Sequence, residues 1–194
     1  MEATLNEFCE NDFESASLNR IIKNAGISKG TFYYHFENKE ALYLFLLEKG
    51  VSAKWNYISE YTKSNKADFS KMDIFDKFLY QARAGALFAD KHPRYHKLSN
   101  MLTKEKGNPI YEKALSHLKT NTSDILEGMV AEAYKNNELD TKFSKEFLSQ
   151  LLAHLFSYFD DIFADTQGDL QHTLDTLESY VEFIKYGIKN KEGN

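Results

Sequence analysis

Between Ser28 and Lys39 the chain reads SKGTFYYHFENK, which crowds Lys29, Thr31, Tyr33, Tyr34 and His35 into two helical turns. These groups donate and accept hydrogen bonds at the ends of apolar or aromatic stems. A buried core needs fewer polar tips than this. From Ser17 to Lys39 the basic residues Arg20, Lys23, Lys29 and Lys39 face one acid, Glu37, giving a local charge of +3 inside a chain of net charge -5. That local surplus suits phosphate, and its field decays within a Debye length of about 8 to 10 Å, so the acidic total does not oppose it. Other chemistry finds less support. His92 and His96 stand four apart with Asp90 nearby, but Pro93 lies between them and no third histidine is in sequence reach, so no metal is expected. Asp160 and Asp161 diverge by about 100° on a helix and cannot share acid-base work. With no G-x-S-x-G, P-loop or dinucleotide turn, an all-α hydrolase or transferase is the weaker alternative, and no cofactor is expected.

The elements that must hold these groups are helices. Of 194 residues only two are proline and nine glycine, and apolar residues recur at three and four residue spacing. The pattern predicts an all-α chain of about nine helices: one ending near Asp12, then 18–25, 29–34, 39 into the sixties, 72–89, 94–103, 110–136, 145–165 and 170–189. No apolar run is long enough to cross a bilayer, and the acidic opening MEATLNEFCENDFE is unlike a secretory signal, so the expected location is the cytoplasm. Cys9, the lone cysteine, sits beside Phe8 on an apolar stripe and reads as packing.

Ser17 is suited to cap a short helix that turns Leu18, Ile21, Ile22 and Ala25 inward; Gly26 suits the left-handed stop, and Ser28 caps the next helix. Two short helices on a tight turn make a helix-turn-helix, whose second helix enters a DNA major groove. Phe32 and Phe36, four apart, would anchor that second helix and leave the polar-tipped residues outside.

The stretch from Ala3 to Tyr43 resembles the DNA-binding domain of the TetR/AcrR family of bacterial transcriptional repressors. Leu5, Phe8, Phe13, Ser17, Ile21, Ala25, Gly26, Ile27, Ser28, Lys29, Gly30, Thr31, Tyr33, His35, Phe36, Lys39, Glu40 and Leu42 fall in register with the family pattern. Asp12 replaces a usual glycine, Ile22 a usual alanine, and the first helix is short at its front. The resemblance implies that Lys29, Gly30, Thr31 and Tyr33 face the groove with Ser28, Tyr34 and His35 beside them. It also implies that Ser17 and Lys39 hold phosphates, with Asn19 and Arg20 as secondary contacts. His35 could instead cap its own domain by a hydrogen bond, and Tyr34 could face solvent or pack. The division expected is a helix-turn-helix domain over 1–46 and a ligand-binding and dimerisation domain over 47–194. A helical ligand-binding or protein-interaction module that has lost DNA binding is the alternative reading.

In the last helix Leu170, Leu174, Leu177, Val181, Ile184 and Ile188 form a narrow seam, while the helix before it is apolar over most of its girth. A second copy is expected to cover them in a four-helix interface that also uses Leu152, Phe156, Phe159 and Phe163; the other possibility is that both helices are interior. A homodimer would place two helix-turn-helix units on a palindromic operator. The resemblance further implies a small-molecule inducer site in the middle helices. Trp55, Tyr61, Phe78, Phe88 and Met101 are pocket candidates, as are Leu102, Tyr111, Leu118, Met129 and Phe156. Tyrosines and methionines suit an adaptable apolar pocket.

Overall fold

The computed structural model describes residues 2–118, 122–157, 159–163 and 168–188, without the side chains of 122–125, 156–157, 160–161 and 188. Every regular element among them is helical: α1 Glu2–Glu10, α2 Leu18–Ala25, α3 Lys29–His35, α4 Lys39–Ser64, a 3-10 turn Phe69–Lys71, α5 Ile74–Lys91, α6 Pro93–Lys104, α7 Pro109–Leu118, α8 Thr122–Lys135, α9 Lys145–Ser157, α10 Phe159–Ile162 and α11 Leu170–Ile188. No β-strand occurs among the described residues, as the helical periodicity predicts. The long helix expected over 110–136 is α7 and α8, on either side of 119–121, which lie outside the described residues. That expected over 145–165 is α9 and α10, flanking the undescribed position 158. Pro93 and Pro109 open α6 and α7, where a fixed φ and a missing N–H cost nothing.

The chain divides into two compact units, one of Met1–Tyr57 with Lys91–Thr120, the other of Ile58–Asp90 with Asn121–Asn194. In the first, Leu5 and Phe8 of α1, Ile21 and Ile22 of α2, Phe32 of α3 and Leu42, Tyr43 and Leu46 of α4 share one core with Leu98, Leu102, Ile110 and Ala114 of α6 and α7. Cys9 is buried in that core, and its Sγ–H donates to the Arg94 carbonyl at 3.2 Å. Burial pushes its thiol pKa up, consistent with an inert packing group. Gly50 brings α4 close to α6: a Cβ there would stand 3.1 Å from the Tyr95 ring.

The second unit closes around Ile74 and Phe75 of α5, Leu126 and Val130 of α8, Leu148 and Leu152 of α9, Phe159 of α10 and Leu177, Val181 and Ile184 of α11. The seam expected to meet a second copy is thus turned to the chain's own core. Leu152, Phe159, Leu177, Val181 and Ile184 are all buried inside a single chain, and Leu170, Leu174 and Phe163 are half-buried. Phe156 lies outside the described side chains. The physical reason is coverage: α11 has only one wide apolar stripe, and α5 and α9 already claim it. What α11 exposes instead is Phe183 and Tyr186, at 78% and 71%.

Candidate nucleic-acid interface

The local sequence builds the helix-turn-helix as its capping residues dictate. Ser17 Oγ accepts from the Arg20 N–H at 3.3 Å to start α2, which buries Ile21 and Ile22. Gly26, at φ +66°, stops it: its N–H donates to the Lys23 carbonyl and the Ile27 N–H to that of Ile22. A Gly26→Ala change meets open space but a strained backbone, so unfolding should show a loss of about 1 to 2 kcal/mol. Two residues on, Ser28 Oγ accepts from the Thr31 N–H at 3.0 Å and pairs with the Thr31 hydroxyl at 2.9 Å.

The seven residues of α3 bury Phe32 alone. Phe36, at its end, is half-buried against Phe32 and Phe45. Lys29, Gly30, Thr31, Tyr33, Tyr34 and His35 all face outward, Tyr34 at 84% exposure. At Gly30 an added Cβ would meet only Ser28 Oγ, 3.7 Å away, so the space over this turn is open to an approaching molecule. Tyr33 packs edge-on against Phe32, and His35 lies edge-on to Tyr34. No capping hydrogen bond from His35 to its domain is present among the described residues. Asn19 is exposed and Ser17 half-buried at the start of α2.

Two of the basic residues are already occupied. Lys39 Nζ donates to the carbonyls of Phe13 at 2.6 Å, Glu14 at 3.1 Å and Ala16 at 3.0 Å, and lies over the Phe13 ring. An ammonium has three donors, so this leaves none for a phosphate. Arg20 forks onto the buried carboxylate of Glu7, with Nε at 2.9 and 3.1 Å and Nη2 at 2.5 Å. Glu7 also accepts the Ser17 N–H at 2.7 Å, tying α1 to the start of α2. Lys23 and Lys29 remain exposed, without an ion pair among the described residues.

The Arg20 hydrogen bonds hold the Glu7 carboxyl below its ordinary value of 4.5, helped by the Ser17 N–H and opposed by burial. A depressed carboxylate contributes its stability in full above the unfolded pKa and loses it as pH falls through the folded one. Urea midpoints should therefore drop below about pH 4.5 more steeply for this protein than for Glu7→Gln, which has no charge to lose. Glu7 and Glu105, which holds the same loop from a distance, escape sequence reasoning. The only trace of Glu7 is an acid set on the apolar stripe beside Leu5 and Phe8; Glu105 sits unmarked between two lysines.

The pocket candidates divide between the units. Met101, Leu102, Tyr111 and Leu118 belong to the first, with Leu102 in its core and Tyr111 and Leu118 packed against it, while Trp55 is half exposed on α4. Tyr61, Phe78, Phe88 and Met129 belong to the second. A groove of about 280 Å³ in the second unit uses other residues, with Phe75, Leu79 and Val181 as its floor and Asp76, Glu178, Glu182 and Lys185 at its edge. The His92 ring lies against Tyr57 and Tyr95, and His96 Nε2 faces Asn100 Nδ2 at 3.3 Å. Among the described residues no helix is long and apolar enough to cross a membrane.

Residues 1–45 match the family described as bacterial regulatory proteins, tetR family. The chain is 29% identical over 121 residues to the biofilm operon icaADBC HTH-type negative transcriptional regulator IcaR of Staphylococcus epidermidis; the match takes in 61% of this chain and 60% of that protein. It is 25% identical over 199 residues to the fatty acid metabolism regulator protein of Bacillus subtilis, covering 98% of this chain and 94% of the relative. The solved structure of FadR from Bacillus subtilis in complex with stearoyl-CoA shares the fold, with a TM-score of 0.70 at 19% identity over 96% of each chain.

Proposed function

We propose that this chain, which belongs to the TetR family of bacterial regulatory proteins, is a sequence-specific DNA-binding repressor that works as a dimer and is released from its operator by a small molecule. The observation that carries the reading is α3, a helix that buries one side chain and turns Lys29, Thr31, Tyr33 and Tyr34 outward beside a glycine with open space above it. Lys29 reaches guanine acceptors, the Thr31 methyl suits a thymine methyl, and the tyrosines offer hydroxyls to base edges or phosphates. Residues 1–46 supply this contact, and 47–194 the ligand site and the surface for a second copy.

With Lys39 and Arg20 engaged inside the fold, Lys23 and Lys29 are the cations left for phosphate in this segment. Each subunit therefore releases few counterions, and affinity should fall with salt less steeply than four basic residues would imply. The outward Phe183 and Tyr186 face of α11 is the surface through which two copies pair, and the dimer offers one α3 to each half-site of a palindrome, whose half-sites stand about 34 to 36 Å apart. The effector acts by preferring the conformer whose two α3 helices are wrongly spaced; a ligand with equal affinity for both conformers would release nothing. An apolar small molecule fits the aromatic and methionine content of the middle helices, and stearoyl-CoA is the first probe to try. A regulator of this kind works in the cytoplasm.

Gel shift with the DNA upstream of its own gene, against a random duplex at two salt concentrations, tests the reading. A salt-sensitive preference for the upstream duplex, lost in Tyr33→Ala, supports it. No preference at either salt would leave a helical module without an operator.

A further inference from the structure

Outside α2 and α3, one hold on the helix-turn-helix comes from a residue far along the chain. Glu105, in the turn that ends α6, is 3% exposed. Its Oε1 accepts the Phe13 N–H at 2.5 Å, and its Oε2 accepts from Asn108 Nδ2 at 2.6 Å. The carbonyl of the same Phe13 takes the Lys39 ammonium at 2.6 Å. The Phe13 residue is thus gripped between a carboxylate on its N–H and an ammonium on its C=O.

The consequence follows from where these partners sit. Residues 13–16 lead directly into Ser17, the cap of α2, and Lys39 opens α4 just after α3 ends. The loop is therefore tied to the entry of the two-helix unit by the chain and to its exit by Lys39, and Glu105 fastens the loop to the α6 turn. The Phe13 ring rests on Tyr43 at 5.2 Å, and Tyr43 rests on Phe8 at 4.8 Å, so ring packing holds the loop to the core beside the charged contacts. Burial and then the Glu105 carboxylate push the Tyr43 phenol well up, which keeps it neutral and places Glu105 near that ring stack. At its other end α6 is held to α1 again, through Cys9 on the Arg94 carbonyl and Arg94 on Glu2.

From this arrangement we infer that Glu105 is a positioning residue for DNA reading: by fixing the Phe13 peptide it sets the angle at which α3 is presented, though it touches no base or phosphate. The inference rests on the DNA-binding function proposed above. It separates specific from non-specific binding. Phosphate contacts tolerate small tilts, whereas bidentate base contacts do not, so loss of the tether lowers the first kind of affinity little and the second kind much.

The test uses the full chain. A duplex enriched from a random library by the unmodified protein serves as the specific probe, and its scrambled version as the non-specific one. Failure to enrich any sequence would reject the DNA-binding reading itself, before Glu105 is at issue. With a duplex in hand, Glu105→Leu, which has no acceptor, should weaken the specific complex about tenfold, leaving the scrambled duplex and the salt slope unchanged. Glu105→Gln, which still offers Oε1 to Phe13, should recover most of that loss. Asn108→Ala, at the exposed end of the network, should show a smaller loss of the same kind, about threefold. The Phe13 amide proton should resonate far downfield in the unmodified protein and move upfield in Glu105→Leu. A parallel fall of specific and scrambled binding, or specific binding unchanged, would overturn the inference. If Glu105→Leu does not fold, Asn108→Ala decides it: an unchanged ratio of specific to scrambled affinity in that variant would overturn it equally.

Discussion

Lys39→Met should cost the protein stability and operator binding together, and the way it loses binding should reveal what Lys39 does. The ammonium satisfies three carbonyls on one loop, and methionine fills the stem's volume without replacing any donor. Water reaches part of this half-buried site, so the loss on unfolding is about 2 kcal/mol, below the sum of three charged hydrogen bonds. Operator affinity should fall about a hundredfold as the loop and the helix-turn-helix loosen, with the salt slope unchanged. A phosphate-contacting lysine behaves otherwise: its removal leaves stability alone and reduces the slope by about one. Urea denaturation and gel shifts at several salt concentrations distinguish the two. An unchanged urea midpoint with a shallower slope would return Lys39 to the phosphate role that the family resemblance implies.

The second large effect concerns assembly. Phe183→Glu combined with Tyr186→Glu should leave a folded monomer that no longer binds a palindromic operator. Both rings are exposed in the single chain, so their loss removes no core contact and far-ultraviolet circular dichroism should be unchanged. Two carboxylates on the face proposed to meet its own copy add repulsion and desolvation to the lost apolar area. Sedimentation should show half the mass, and operator affinity should fall more than about a hundredfold, since each half-site then binds alone. A variant that still sediments as a dimer would place the interface elsewhere. In contrast, Leu177→Ala or Val181→Ala should destabilise the fold without selectively dissociating a dimer, because those side chains fill the chain's own core.

Local grammar explains why the helix-turn-helix is legible in the sequence. Ser17, Gly26 and Ser28 act on backbone groups three to five residues away, and Phe32 and Phe36 announce an inward face through spacing alone. The same reasoning succeeds for the helices at large and leaves open what covers the α11 seam. Periodicity says that Leu177, Val181 and Ile184 share a face, but not whether α5 and α9 or another molecule will cover it.

Charge divides in the same way. Counting residues identifies a basic island, and counting cannot tell that Arg20 is spent on Glu7 or Lys39 on three carbonyls. The sequence by itself determined the all-helical class, the capped pair α2 and α3 and the set of side chains α3 can offer, because these depend on neighbours within a turn or two. Tertiary structure alone decided which cations are free, which face of α11 is outward and that Glu105 grips Phe13, because each depends on groups brought together from distant parts of the chain, where one buried carboxylate outweighs any local preference.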